Sequence, residues 1–230
     1  MSSWVSPKEL KKKYVVRGSY YDLIDGSQPY QCRDLLEISD IVHGVIAAGI
    51  LRPQALFIMM NPGSSRPADS NYSIPRFRIG ERTVQSIELV PAKPDPTQYQ
   101  VMRVMSAMDW SYVRVINLSD LRQPDGSKFR VLVQQFESHF GSSIHSIFDA
   151  KREDGRLLAF DIESEGPVIL AWSVDRLVIS LAKKHCGCIP KERIVGWEKS
   201  NTPNAYYHPS RNRVQWFEEI MARLQRSFQG

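Results

Sequence analysis

The sequence predicts a three-layer α/β/α protein with a central, mainly parallel four-stranded sheet and an N-terminal β-rich extension. Three observations lead to this fold class. The 230-residue chain is 42% hydrophobic and 24% charged, which is the composition of a globular domain. It contains short apolar runs of the kind found in strands that are buried on both faces. These runs alternate with segments of helical periodicity, and that order favours parallel strands joined by helices.

The chain length fits a single α/β domain, in which residues 1–50 form the extension and residues 51–230 form the core. A short helix is expected to begin near the N-terminus. Ser6 can cap it, Pro7 suits its first position, and Glu9 completes a capping box.

The β-rich extension is predicted from two strand-like stretches. Residues 14–16 and 32–38 are rich in apolar residues, and the turn-forming sequence Asp-Gly-Ser at 25–27 lies between them. This pattern is typical of a hairpin. The apolar residues 41–50 then predict a helix before the core begins.

Four short, predominantly apolar runs predict the core strands, and helical spacing of apolar residues predicts the elements between them. The strands are expected at residues 55–60, 112–116, 167–172 and 193–197. The helices are expected after Asp-Pro-Thr at 95–97 and at residues 129–139, 174–185 and 214–228. Residues 64–96 contain no predicted element, and loops of that length are usually functional.

Composition also bears on compartment and cofactors. The sequence lacks the run of roughly 18 apolar residues that spans a bilayer, and its first residues are too polar for a signal peptide. We therefore expect a cytoplasmic monomer without membrane contact. Cys186 and Cys188 with His185 can supply only part of a metal site, and free thiols at a helix end are the simpler interpretation. No metal and no cofactor is expected.

The net charge of +5 and the pI of about 9.1 predispose the protein toward polyanions. Most basic residues are scattered along the chain. Arg76, Phe77 and Arg78 interleave an aromatic ring with two charges inside an expected loop. Such a segment can contact nucleic acid, or it can be a solvated loop.

Three polar segments lie at or near the ends of predicted core strands, namely Asn-Pro-Gly at 61–63, Asn117, and His-Pro-Ser at 208–210. Ligand sites of parallel sheets lie beyond the carboxyl ends of the strands, so we expect these segments to form one site. An Asn amide can orient water or pair with a base edge, and a neutral His can donate to a developing oxyanion. Taken singly, each residue also fits a structural role in a turn or loop.

In order, the sequences Met-Asn-Pro-Gly at 60–63, Val-Ile-Asn at 115–117 and Tyr-His-Pro-Ser at 207–210 resemble the three site motifs of the uracil-DNA glycosylase superfamily. The resemblance covers the chain from Ala55 to its C-terminus. It implies a uracil-DNA glycosylase-like fold and excision of a base from a nucleic acid.

Asp-Pro-Thr at 95–97, Asn-Leu at 117–118 and Ala-Trp at 171–172 extend the resemblance. With these motifs, the chain is most similar to a bacterial and phage domain family of unknown function. It departs from the superfamily pattern at Met59, two residues before Asn61, where glycine is usual.

The resemblance implies a role for each matching residue. Asn61 would position the attacking water, Asn117 would pair with the flipped base, and His208 would stabilise negative charge on the departing base. Tyr72, or alternatively Phe77, would stack on that base. Reaching the sugar bond requires extrusion of the nucleotide from the stack.

The complete set of expected site residues has three parts. The catalytic residues are Asn61 and His208. The base- or ligand-binding residues are Pro62, Gly63, Tyr72, Asn117 and Ser210. The nucleic-acid contacts are Arg76, Arg78, Arg211 and Arg213.

The expected function is hydrolysis of an N-glycosidic bond in DNA, RNA or a nucleotide-like small molecule. Two alternatives stay open. One is a protein that binds nucleic acid or a nucleotide without cleaving it. The other is a different hydrolase or transferase on the same fold, for instance one that uses Asp69 or Asp95 as general base, although Asp95 also fits a helix cap.

Overall fold

The computed structural model describes residues 4–26, 28–42, 52–79, 87–163, 166–185 and 189–228. Within these ranges, the strands are β1 (Tyr14–Asp25), β2 (Gln28–Asp40), β3 (Ala55–Met59), β4 (Arg66–Pro67), β5 (Arg76–Arg78), β6 (Leu89–Lys93), β7 (Tyr112–Asn117), β8 (Val168–Ala171) and β9 (Ile194–Val195). The helices are α1 (Pro7–Lys13), α2 (Pro96–Met108), α3 (Gly126–Phe140), α4 (Glu153–Ala159), α5 (Arg176–His185) and α6 (Arg213–Phe228). Most of the helix predicted at 41–50 lies outside the described residues.

The strands form one mixed sheet with the order β4-β6-β1-β2-β7-β3-β8-β9, and β5 pairs with β1. Strands β7, β3, β8 and β9 run parallel to their neighbours within this group. Strand β2 joins β7 in antiparallel orientation, and β1 pairs antiparallel with β2. The α/β class is therefore confirmed.

The predicted four-stranded, mainly parallel sheet is wrong, because the sheet is mixed and has nine strands. The N-terminal hairpin does not stand apart from the core. It pairs with β7, so the main-chain groups that would otherwise form an open sheet edge are satisfied. The stretch at 64–96 also contains β4, β5 and β6, which are too short or too polar to be recognised from an apolar pattern.

Helices pack on both faces of the sheet because successive strand residues point in opposite directions. In β3, Phe57 and Met59 belong to the core cluster that includes residues of α1, α2 and α6. Leu56 and Ile58 belong to the cluster that includes residues of α3, α4 and α5. A run that is apolar at every position is what a strand needs when both of its faces are covered.

Two helix starts agree with the sequence. Ser6 caps α1, since its Oγ accepts a hydrogen bond from the Glu9 N–H at 3.3 Å. Asp95 caps α2, since its Oδ1 accepts from the N–H groups of Thr97 and Gln98 at 2.9 Å each. The Gln98 side chain in turn accepts from the Asp95 N–H at 3.2 Å, which completes a capping box.

The loop that follows β9 returns to β8 and reaches the carboxyl end of the parallel strands. Tyr206 forms isolated β-bridges with Ser173 and Glu198. Gly196 permits this approach, because a Cβ atom at this position would lie 2.4 Å from the Tyr206 ring. The Trp172 indole N–H donates to the Asn204 carbonyl at 2.9 Å and holds the same loop. None of the helices in the described ranges has the length and apolar character that a membrane crossing requires.

Candidate functional site

A cleft of about 580 Å³ lies at the carboxyl ends of β3, β7 and β8. Its volume is within the range of small-molecule sites. The cleft brings together most of the residues that the sequence assigns to the site. Its lining includes Asn61, Pro62, Gly63, Asn117, His208, Ser210, Arg211 and Arg213.

Three other predicted site residues lie elsewhere. Tyr72 is half-buried against the core cluster of α1, α2 and α6, and it is not among the residues that line the cleft. Arg76 and Arg78 are exposed on β5, beside β1, and they do not line the cleft either. The Arg76 Nε atom lies 3.8 Å from a carboxylate oxygen of Asp22. The four predicted arginines therefore lie in two places. Arg211 and Arg213 line the cleft, whereas Arg76 and Arg78 lie beside β1.

The Asn-Pro-Gly loop holds the Asn61 side chain in one orientation. Asn61 Nδ2 donates to the carbonyl of Gln123 at 2.6 Å and to the carbonyl of Leu121 at 3.3 Å. Because the amide nitrogen is committed to these two carbonyls, Oδ1 is the end that can accept a hydrogen bond from a ligand or water. Gly63 allows the turn, since its φ of +58° lies in the left-handed region.

Asn117 lies at the end of β7 and is fully buried. In the amide orientation that satisfies both of its ends, Nδ2 donates to the Asn61 carbonyl at 3.1 Å and Oδ1 accepts from Arg33 Nη2 at 2.8 Å. Each end of the amide therefore keeps capacity for one further hydrogen bond. The first consequence of these contacts is structural, because Asn117 connects the Asn61 loop to Arg33.

His208 has a defined tautomer. The backbone N–H of Ser210 donates to His208 Nδ1 at 3.2 Å, and Ser210 Oγ lies 2.8 Å from the same nitrogen. A nitrogen that accepts from a backbone N–H carries a lone pair, so the proton of the neutral ring is on Nε2. His208 can therefore act as a donor through Nε2–H.

Burial, and to a smaller extent the positive charge of Arg211, lower the pKa of His208 to about 4. The imidazole is therefore neutral at physiological pH. A neutral imidazole can donate a hydrogen bond to developing negative charge without bringing a full positive charge into the cleft.

The cleft also contains residues that are not in the predicted set of site residues. Arg33 on β2 is only 2% exposed and lines the cleft. Tyr207 supplies aromatic surface, and its ring lies against Trp197 with ring centroids 4.2 Å apart. Trp172 also borders the cleft but is fully buried. Met59 is 4% exposed and lines the cleft with its side chain where a glycine would leave space. Of these, Tyr207 could have been chosen from its position beside His208. No feature of the sequence pointed to Arg33, because this residue lies far in sequence from the carboxyl ends of the predicted core strands.

The charges of the cleft are mostly positive. Four guanidinium groups line it against two carboxylates, and one of these carboxylates, that of Asp175, forms a 2.6 Å ion pair with Arg130. The other belongs to Asp95, whose pKa is raised by burial. Asp69, the second candidate general base, is exposed and accepts from the Asn71 N–H at 2.8 Å.

The described residues contain no group of three or more His, Cys, Asp or Glu side chains that could hold a metal ion. Cys186 and Cys188 lie outside the described residues. Cys32 on β2 is a buried thiol whose Sγ–H donates to the Tyr30 carbonyl at 3.4 Å.

Comparisons of the chain with protein-family models, curated proteins and solved structures found no match.

Proposed function

We propose that the cleft binds a nucleobase and that the protein hydrolyses the N-glycosidic bond that joins this base to its sugar, on DNA, RNA or a nucleotide-like ligand. The observation that carries the proposal is the neutral, Nε2-protonated His208 in the same cleft as the oriented Asn61 amide. The likeness of the site motifs to those of the uracil-DNA glycosylase superfamily supports the same reaction.

In this reaction the bond from C1′ to the base nitrogen breaks, and its electron pair leaves with the base. The sugar becomes oxocarbenium-like, and a water oxygen then bonds to C1′. The proton that this water loses passes to solvent, and the departed base anion takes up a proton from solvent. The main electrostatic requirement is to stabilise the negative charge that develops on the base oxygen. The Nε2–H of His208 is the donor that meets it.

Asn61 orients the water. Its Oδ1 can accept one hydrogen of the water, since Nδ2 is held by the carbonyls of Leu121 and Gln123. An amide cannot take the proton as a base does. An oxocarbenium-like sugar is a strong electrophile, so a positioned water suffices.

Side chains that line the cleft hold the base. Asn117 contributes one remaining donor and one remaining acceptor. Tyr207, which lines the cleft beside His208, is better placed than Tyr72 to stack on the base. Arg211 and Arg213 are exposed at the cleft and supply positive charge for phosphates that flank the base.

A second candidate function is recognition of a base without cleavage. It is favoured by Met59, whose side chain occupies the cleft lining, and by the use of Asn61 and Asn117 in contacts within the protein. Both observations fit a cleft in which the base binds but water does not reach C1′.

The test is a base-release assay on oligonucleotides that contain uracil, hypoxanthine or mismatched thymine, followed by alkaline cleavage at abasic sites. We expect strand cleavage with at least one substrate, and loss of cleavage by at least about 100-fold in Asn61→Ala and His208→Ala. Tight binding without any cleavage would favour recognition alone. Absence of both binding and cleavage would overturn both candidates.

Matched controls separate loss of chemistry from loss of folding. Asn71→Ala and His139→Gln remove an Asn and a His that are exposed and do not line the cleft. Both variants should retain wild-type cleavage. Cleavage that survives in Asn61→Ala and His208→Ala would show that the site is assigned to the wrong residues.

A further inference from the structure

The side chain of Arg33 is the most unusual group in the cleft. The residue is 2% exposed, and its position on β2 is fixed because β2 pairs with β1 opposite Tyr20 and with β7 further along the strand. Its backbone N–H also donates to the Asp120 carbonyl at 3.0 Å. The guanidinium lines the cleft next to Asn117.

Most of the hydrogen-bonding capacity of Arg33 is unused by the protein. A guanidinium has five N–H donors. One hydrogen bond, from Nη2 to Asn117 Oδ1, is made within the described ranges, and Nε has no partner there. Within the described residues Arg33 forms no ion pair with a carboxylate, and carboxylates act on it only through longer-range charge. A buried cation with unused donors is costly unless an anion satisfies it.

The surrounding charges favour an anion from outside. Asp95 and Asp120 interact with Arg33 only at longer range, and both are engaged elsewhere. Asp95 Oδ1 accepts two backbone N–H groups of α2, and Asp120 Oδ2 lies 2.5 Å from Arg152 Nη1. Arg211 and Arg213 add positive charge at the cleft, and neither forms an ion pair with a carboxylate of the described residues. Burial lowers the pKa of the Arg33 guanidinium, and the negative charges of Asp95 and Asp120 oppose this shift without cancelling it.

We propose that Arg33 binds a phosphate group of the ligand, so that the cleft recognises a nucleotide through both its base and its phosphate. Phosphate offers the bidentate, charged oxygen pair that a guanidinium fork prefers. The inference builds on the proposed base site but needs no hydrolysis, since it concerns binding alone.

Calorimetric titrations of the full chain with inorganic phosphate, uridine 5′-monophosphate and uridine test this proposal. Wild type should bind the nucleotide about 10- to 100-fold more tightly than the nucleoside, and phosphate should compete with the nucleotide. Arg33→Gln should remove most of this difference while leaving uridine affinity within about twofold. Arg33→Lys keeps the positive charge but not the forked pair of N–H donors, so its nucleotide affinity should lie between those of wild type and Arg33→Gln.

Arg122→Gln is the matched control. Arg122 is a half-buried guanidinium whose Nε also has no partner in the described residues, but it lies over the Tyr20 ring and does not line the cleft. The phosphate affinity of the Arg122→Gln protein should stay within about twofold of wild type, because only a long-range charge is lost.

Two results would overturn the proposal. One is equal affinity of wild type for nucleotide and nucleoside with no binding of phosphate. The other is an equal loss of both affinities in folded Arg33→Gln or Arg33→Lys, since Arg33 would then act only by holding Asn117. Phosphate binding without base release would support the phosphate site and count against hydrolysis, so the two proposals fail separately.

Discussion

Acidification should destabilise the protein through His208. The pKa of this residue in the folded chain, about 4, lies below its ordinary value of 6.5. Between these two values the unfolded chain binds the proton more readily than the folded chain, so stability falls as the pH falls. The contribution of neutral His208 to the free energy of unfolding is fully present above about pH 6.5, and it is lost as the pH drops through about 4.

The magnitude follows from the size of the shift. A shift from 6.5 to about 4 corresponds to about 3 kcal/mol at 1.36 kcal/mol per pKa unit. His208 is half-buried and faces an open cleft, so solvent screening reduces this value. We expect about 1–2 kcal/mol of stability to be lost between pH 7 and pH 4 on account of this residue.

Urea unfolding of wild type and His208→Gln across this pH range measures the effect. The difference in free energy of unfolding between the two proteins should change by about 1–2 kcal/mol as His208 is protonated. Long-range ¹H–¹⁵N spectra at pH 7 should show a proton on Nε2 and none on Nδ1 of this ring. A pH-independent difference, or a protonated Nδ1, would refute the neutral tautomer and with it the proposed donor.

Three alanine substitutions, with one asparagine control, test the backbone and cap contacts that shape the site, each by chemical unfolding at neutral pH. Gly63→Ala should cost about 1 kcal/mol, because φ at this position is +58° and no neighbouring atom obstructs the methyl group. Gly196→Ala should cost more, about 2 kcal/mol, since its Cβ would lie 2.4 Å from the Tyr206 ring. Asp95→Ala should cost about 1 kcal/mol, while Asp95→Asn should retain most of the stability because Asn caps helices as well. Equal stability of all three alanine variants with wild type would contradict these assignments.

The parallel strands were predictable because each is a short apolar run buried on both faces. The run at 55–60 corresponds to β3, which is fully buried along its length. The helix caps were predictable for a similar reason, since the serine and aspartate signals act over three residues of sequence. Local patterns of this kind do not depend on the rest of the fold.

The extent of the sheet was not predictable in the same way. Strand pairing between β2 and β7 joins residues far apart in sequence, such as Leu36 and Val115, and no local pattern specifies it. The same pairing brings Arg33 to the cleft, where its contact with Asn117 depends on that long-range register. Tyr72 is the reverse case. It lies near a site motif in sequence, but it packs against the core cluster of α1, α2 and α6 and does not line the cleft.

A crystal structure of Asn61→Ala bound to a single-stranded oligonucleotide with one uracil would test the base site most directly. Loss of the water-positioning amide should leave the base in place and uncleaved. We expect the uracil ring in the cleft beside Tyr207, with one of its oxygens within hydrogen-bonding distance of His208 Nε2. A base bound elsewhere on the protein, or an oligonucleotide that leaves the cleft empty, would contradict the account.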